Sequence, residues 1–190
     1  MFGSTGNGGI IAGDNAAMVF QKRDRKSIRL ANYDYSRNGY YFVTVCTKNR
    51  YPWFGKISDT EMILAKPGQI VFEQWNWLKN QYKYVDLDEY IIMPDHFHGI
   101  IVIGNDIVGA GRDRPLHKIK PLPQLIGAFK TRSSKLIHQN GFFNFQWQRN
   151  YFEHVIRNEH ELGRIRMYIN TNAIKHNIKA SPIGSGRPPF

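Results

Sequence analysis

The chain has 190 residues, 42% of them hydrophobic and 14% aromatic, which is enough to build one domain with a packed core. Twenty-six Lys and Arg against 15 Asp and Glu leave a formal net charge of +11, a balance that favours a polyanionic partner such as nucleic acid. No run reaches the length of a membrane span, the first twenty residues lack the basic start and long apolar stretch of a secretory signal, and the single cysteine, Cys46, excludes an internal disulfide and a cysteine-built zinc site. A cytoplasmic protein that does not engage membranes is the expectation.

Residues 1–20 are rich in Gly, Ala and Asn and the basic run "QKRDRKSIRL" follows, so 1–30 are expected to form a flexible basic segment. The folded domain is expected over 31–172. Its first strand is "GYYFVTVCT", residues 39–47, which is β-branched and aromatic. In "KPGQIVFEQWNWLKNQ", Ile70, Val71, Trp75 and Leu78 recur at helical spacing behind Pro67. "VDLDEYIIM" and "HFHGIIVI" read as two strands joined by the turn pair Pro94-Asp95. After the glycine-rich stretch 104–115, "LPQLIGAFKTRSSKLIHQN" carries an apolar helical stripe of Leu125, Ile126, Phe129, Leu136 and Ile137. "GFFNFQWQ", residues 141–148, is the expected fourth strand. Residues 152–168 then place Val155, Ile156, Leu162, Ile165 and Tyr168 in a second helical pattern, and the Pro/Gly-rich residues 173–190 form an expected flexible tail.

This order, β-α-β-β-α-β plus a C-terminal helix, predicts an α+β, ferredoxin-like antiparallel sheet. That architecture hosts many functions, so function must come from a site.

His96 and His98 flank Phe97 in "PDHFHGIIVI". Side chains alternate along a strand, so both imidazoles face one side of the sheet and Phe97 the other. Two neighbouring imidazoles can hold a divalent cation while leaving positions open for substrate oxygens. The plainer alternative is a pair of polar residues on a solvated face. In "FQWQRNYFEHVIRNEHEL", Tyr151 and His154 are three apart and would share a face of the predicted helix. A tyrosine hydroxyl beside a metal or basic groups can act as a nucleophile towards phosphate, although an isolated tyrosine is ordinarily a packing or interface aromatic.

These blocks carry a resemblance. "EYIIMPDHFHGIIVI" and "FQWQRNYFEHVIRNEHELGRIRMYIN", together with "IRLANYDYSRNGYYFVTVCTKNR" and "LPQLIGAFKTRSSKLI", resemble the single-tyrosine HUH transposases, and most closely their REP-associated branch, over residues 28–172. The resemblance implies that His96 and His98 bind a catalytic divalent ion, Mg²⁺ or Mn²⁺. It implies that Tyr151, on the C-terminal helix, attacks a DNA phosphodiester to give a 5′-phosphotyrosine and a free 3′-hydroxyl. Related transposases often carry a metal-binding glutamine four residues after the tyrosine. Val155 occupies that place here and cannot coordinate, so His154 is the expected third ligand and Asn158 a weaker substitute.

The implied substrate is single-stranded DNA beside a hairpin, handled by a monomer or a homodimer. Lys130, Arg132 and Lys135 on the predicted helix, Arg112 and Arg114 before it, and Arg149 and Arg157 flanking Tyr151 are the expected phosphate contacts. A solvated helix face accounts for Lys130 and Lys135 equally well. Tyr33, Tyr35 and the basic residues 23–29 could form an arm against the hairpin. The alternatives are a non-catalytic nucleic-acid-binding protein with an RNA-recognition-like sheet and a hydrolytic metal nuclease with no tyrosine intermediate.

Overall fold

The computed structural model describes residues 30, 32–58, 61–104 and 119–172. The expected terminal segments fall outside these apart from Leu30, as do Arg112, Arg114 and the basic residues 23–29.

Among the described residues, six strands and three α-helices follow in the order β1 (Gly39–Cys46), β2 (Gly55–Ser58), β3 (Glu61–Leu64), α1 (Lys66–Gln81), β4 (Val85–Met93), β5 (His96–Ile103), α2 (Leu122–Gln139), β6 (Phe152–Ile156) and α3 (Glu159–Asn170). The main sheet has the order β4-β5-β1-β6, and all its pairings are antiparallel. This is the expected ferredoxin-like sheet with an added C-terminal helix. The short β2–β3 hairpin, which the sequence pattern did not announce, forms a separate two-stranded sheet.

Alternation along the central strands sends two sets of side chains to opposite sides. Tyr41, Val43 and Val45 of β1 and Phe97, Ile101 and Ile103 of β5 join the large core beneath α1 and α2, with Trp75, Leu78, Leu125, Ile126 and Phe129. Phe42, Ile100 and Ile156 pack on the other side against Leu162, Ile165 and Ile169 of α3. Gly99 is required where Trp75 crosses β5, because a Cβ there would meet the Trp75 and Phe97 rings at 2.8 Å.

Three expectations are corrected. Residues 141–148 form no strand of the sheet; within them Trp147 makes only an isolated bridge to Thr47. The fourth strand is instead β6, drawn from the predicted helix 152–168. The apolar pairs Val155-Ile156 and Leu162-Ile165 mimic a helical period, but the first pair splits across the two faces of the sheet. The helix starts only at Glu159, where the Asn158 side chain accepts a hydrogen bond from the Glu161 N–H and caps the first turn. Tyr151 therefore precedes an edge strand and is not on the C-terminal helix. Tyr35, expected in an arm, is buried in the core beside Tyr41.

Candidate active site

The histidine pair sits at the start of β5, on the side of the sheet that α3 covers. His96 pairs across the sheet with Cys46 and Met93, and His98 with Thr44 and Ile91. Both imidazoles are buried, with ring centroids 4.6 Å apart and nearly perpendicular planes.

Each ring is held through Nδ1. His96 Nδ1 lies 2.5 Å from Asp95 Oδ1, and Arg50 Nε lies 2.8 Å from Asp95 Oδ2. Burial opposes ionisation of Asp95, yet its hydrogen bond to His96 and the charges of His96 and Arg50 hold its carboxyl below the ordinary value. His98 Nδ1 lies 2.8 Å from Thr44 Oγ1. Burial, reinforced by His96 and Arg50, holds His98 well below the usual imidazole range and so keeps it neutral at pH 7. Partners at both Nδ1 atoms fix the two rings in the way that carboxylates and hydroxyls orient metal-ligating histidines, through the nitrogen that is not the donor.

The residue facing them is Tyr168, on α3. Its hydroxyl lies 3.4 Å from His98 Nε2, and its ring packs edge-on against His98 and Phe42. Burial raises the phenol above its ordinary pKa, opposed by a hydrogen bond from Asn172 and by the charge of Arg50. Asn172, four residues further on and just past the C-cap Thr171, is buried. Arg166 fixes α3 to the edge strand through Asp88, with Nη2 2.5 Å from Oδ2 and Nε 3.0 Å from Oδ1.

Tyr151 is placed elsewhere. It packs into the core on the α1–α2 side of the sheet and lines an open groove of about 280 Å³ with Ile126, Lys130, Thr131, Arg149 and Asn150. The sheet separates it from the histidine pair. His154 faces the α3 side, but it pairs with Phe42, two positions along β1 from Thr44, and its Nε2 bonds Glu161 at 2.7 Å. Among the described residues no group of three or more His, Cys, Asp or Glu is placed to hold a metal ion, so His96, His98 and His154 do not form one ligand set. Asn158, the weaker substitute, serves as the helix cap.

The expected DNA contacts lie mainly on the far side. Lys130 donates to the carbonyls of Gln148 and Arg149, at 2.6 and 3.2 Å. Arg132 bonds Gln74 at 2.7 Å and covers the Trp77 ring, tying α2 to α1. Lys135, Arg149 and Arg157 are exposed. Tyr168 was counted in the sequence only as part of an apolar stripe. The signal that could have found it is a polar amide four residues later, at Asn172.

No family model matches the chain. An uncharacterized protein of Haemophilus influenzae is 36% identical to it over 160 residues, covering 79% of this chain and 88% of that protein. The chain belongs to the family of that protein. Among solved structures, a REP-associated tyrosine transposase bound to a REP hairpin superposes with a TM-score of 0.53 at 21% identity, covering 78% of this chain and 73% of that one. The likeness is one of fold. Among the described residues no helix is long and apolar enough to cross a membrane.

Proposed function

We propose that the chain is a metal-dependent, single-tyrosine DNA nicking and strand-transfer enzyme, a transposase, whose nucleophile is Tyr168 in place of Tyr151. The observation that carries this is the 3.4 Å approach of the Tyr168 hydroxyl to His98 Nε2 on the covered face of the sheet. The residues there suit a divalent ion: with Nδ1 of each ring engaged, the Nε2 atoms of His96 and His98 are two imidazole donors, and the Asn172 amide, four residues after Tyr168, is the available oxygen donor. Asn172 also takes the place that glutamine fills after the tyrosine in the resembling transposases. The ion, Mg²⁺ or Mn²⁺, supplies Lewis-acid polarisation of the scissile phosphate.

The protein's own part follows from position. Helix α3, capped by Asn158 and fastened by Arg166 to Asp88, holds the phenol against the histidines. The Tyr168 oxygen attacks phosphorus, forming the tyrosine–phosphate bond as the bond from phosphorus to the 3′-oxygen breaks. The phenolic proton is lost to water, and the departing 3′-oxygen leaves protonated as a hydroxyl. Attack by another 3′-hydroxyl reverses the step and rejoins strands without a nucleotide cofactor. The RNA-recognition-like alternative calls for an open sheet face bearing stacking aromatics. Here α3 covers the face opposite the α1–α2 layer, and Phe42 and Ile100 are fully buried beneath it.

The test is incubation of the protein with end-labelled single-stranded hairpin DNA from sequence flanking its gene, with Mn²⁺ or Mg²⁺, on a denaturing protein gel. The expected result is a labelled protein band that is lost with chelator. Cleaved DNA without that band would replace the reading with simple hydrolysis.

A further inference from the structure

Beyond β1 the chain makes a rim over the turn that precedes His96. Thr47, fully buried, donates its N–H to the Asp95 carbonyl at 2.9 Å, and its Oγ1 lies 2.8 Å from the Tyr51 carbonyl. Phe54 N–H bonds the Pro94 carbonyl at 2.9 Å. On the outer side Lys48 donates through N–H and Nζ to Gln146, at 2.8 and 2.7 Å. Between these anchors Asn49 and Arg50 both have left-handed backbone, with φ of 56° and 57°. Two such non-glycine residues in succession are uncommon and persist only where their surroundings hold them.

This held backbone presents one cation on the turn that carries His96 and, next to it in the chain, one aromatic. The Arg50 side chain is 52% exposed although its Nε contacts Asp95 and its Nη1 contacts Cys46 Sγ at 2.9 Å. A guanidinium has five N–H groups in a planar fork, so two contacts leave donors for a phosphate. The charge of Arg50 is also felt at both His98 and Tyr168. Tyr51 is 58% exposed, and its ring rests on Trp53 at 4.8 Å, which is in turn backed by Phe145 at 6.0 Å. An exposed aromatic braced from behind costs little further ordering when a base stacks on it, whereas a paired base in a duplex cannot offer its face.

We infer that the Lys48–Trp53 rim docks the single-stranded DNA that flanks the cut, Arg50 gripping a backbone phosphate and Tyr51 stacking an unpaired base. The inference rests on the nicking reading for its substrate but needs no chemistry for its test. Fluorescence anisotropy of the full chain with labelled oligothymidylate, in the presence of chelator, measures docking alone. Tyr51→Ala is expected to weaken binding roughly tenfold, the scale of one base–aromatic stack, while Tyr51→Phe restores it. Duplex DNA of equal length should bind both proteins alike. Arg50→Gln should lower the slope of log affinity against log salt by about 0.7, the share of one phosphate contact on a single strand. Unchanged single-strand affinity in Tyr51→Ala, or an equal loss for duplex, would overturn the docking site. Tighter binding of oligouridylate than of oligothymidylate would overturn its assignment to DNA. Intact Tyr51-dependent binding with no covalent band on any DNA would leave the rim standing and reject the nicking reading; a covalent band with Tyr51→Ala binding as well as wild type would do the reverse.

Discussion

The Tyr168 hydroxyl and His98 Nε2 approach to 3.4 Å although 70 residues separate them, because α3 packs over the face on which β5 displays its histidines. His98 is fixed by Thr44 behind it, and Tyr168 by the helix that Arg166 fastens to the edge strand. The pairing thus depends on four elements, β1, β4, β5 and α3, and changes remote from the phenol should be felt at it.

Asp95 and Thr44 orient the two imidazoles without lying between them. Asp95→Asn and Thr44→Val should each weaken divalent-ion binding about 10- to 100-fold, as the loss of such outer partners does elsewhere. Titration calorimetry with Mn²⁺ checks this. His154→Ala, by contrast, should bind Mn²⁺ as the unaltered protein does; a large loss there would return His154 to the ligand set.

The Asp88–Arg166 pair should give α3 a defined acid sensitivity. Burial raises the Asp88 carboxyl, but the Arg166 hydrogen bond, the Glu89 N–H and the Arg166 charge outweigh it, so the folded pKa is lower than the unfolded one. The contribution is therefore complete above about pH 4, the unfolded carboxyl value, and fades as pH falls through the folded pKa. Because Arg166 is partly exposed, the amount is small, under about 1 kcal/mol. Urea unfolding of Asp88→Asn should show a deficit at neutral pH that closes in acid, and a deficit that persists in acid would assign the loss to packing.

Gly99→Ala should destabilise the fold by about 1–3 kcal/mol, the usual range for overpacking a core. Its Cβ would meet Trp75 and Phe97 at 2.8 Å, and neither ring can retreat from the layer it fills. Thermal unfolding measures this, and an unchanged midpoint would mean that the α1–sheet contact has slack.

Much of this arrangement was legible in the sequence. The hairpin around Pro94-Asp95, both amphipathic helices and the shared face of His96 and His98 followed from period and turn chemistry. The tyrosine proposed as nucleophile did not, for a physical reason. Val155, Ile156, Leu162 and Ile165 fit one helical stripe as text, so strand and helix merged and Tyr151 seemed to begin the helix. The break was written in Asn158-x-x-Glu161, a cap signal that outranks a short apolar period. Once the helix starts at Glu159, Tyr168 becomes its inward aromatic, with Asn172 four residues later, just past its C-cap. Which face of the sheet each tyrosine joins is set by the long-range pairing of β6 with β1 and by the packing of α3 on Phe42 and Ile100, which local patterns do not encode.

The most direct test of the account compares Tyr168→Phe with Tyr151→Phe in the covalent-adduct assay on one hairpin substrate, with proteolytic mapping of the DNA-bearing peptide from the unaltered protein. The account predicts no adduct for Tyr168→Phe, a retained adduct for Tyr151→Phe, and DNA on the peptide containing Tyr168. An adduct that survives Tyr168→Phe and disappears with Tyr151→Phe would contradict it.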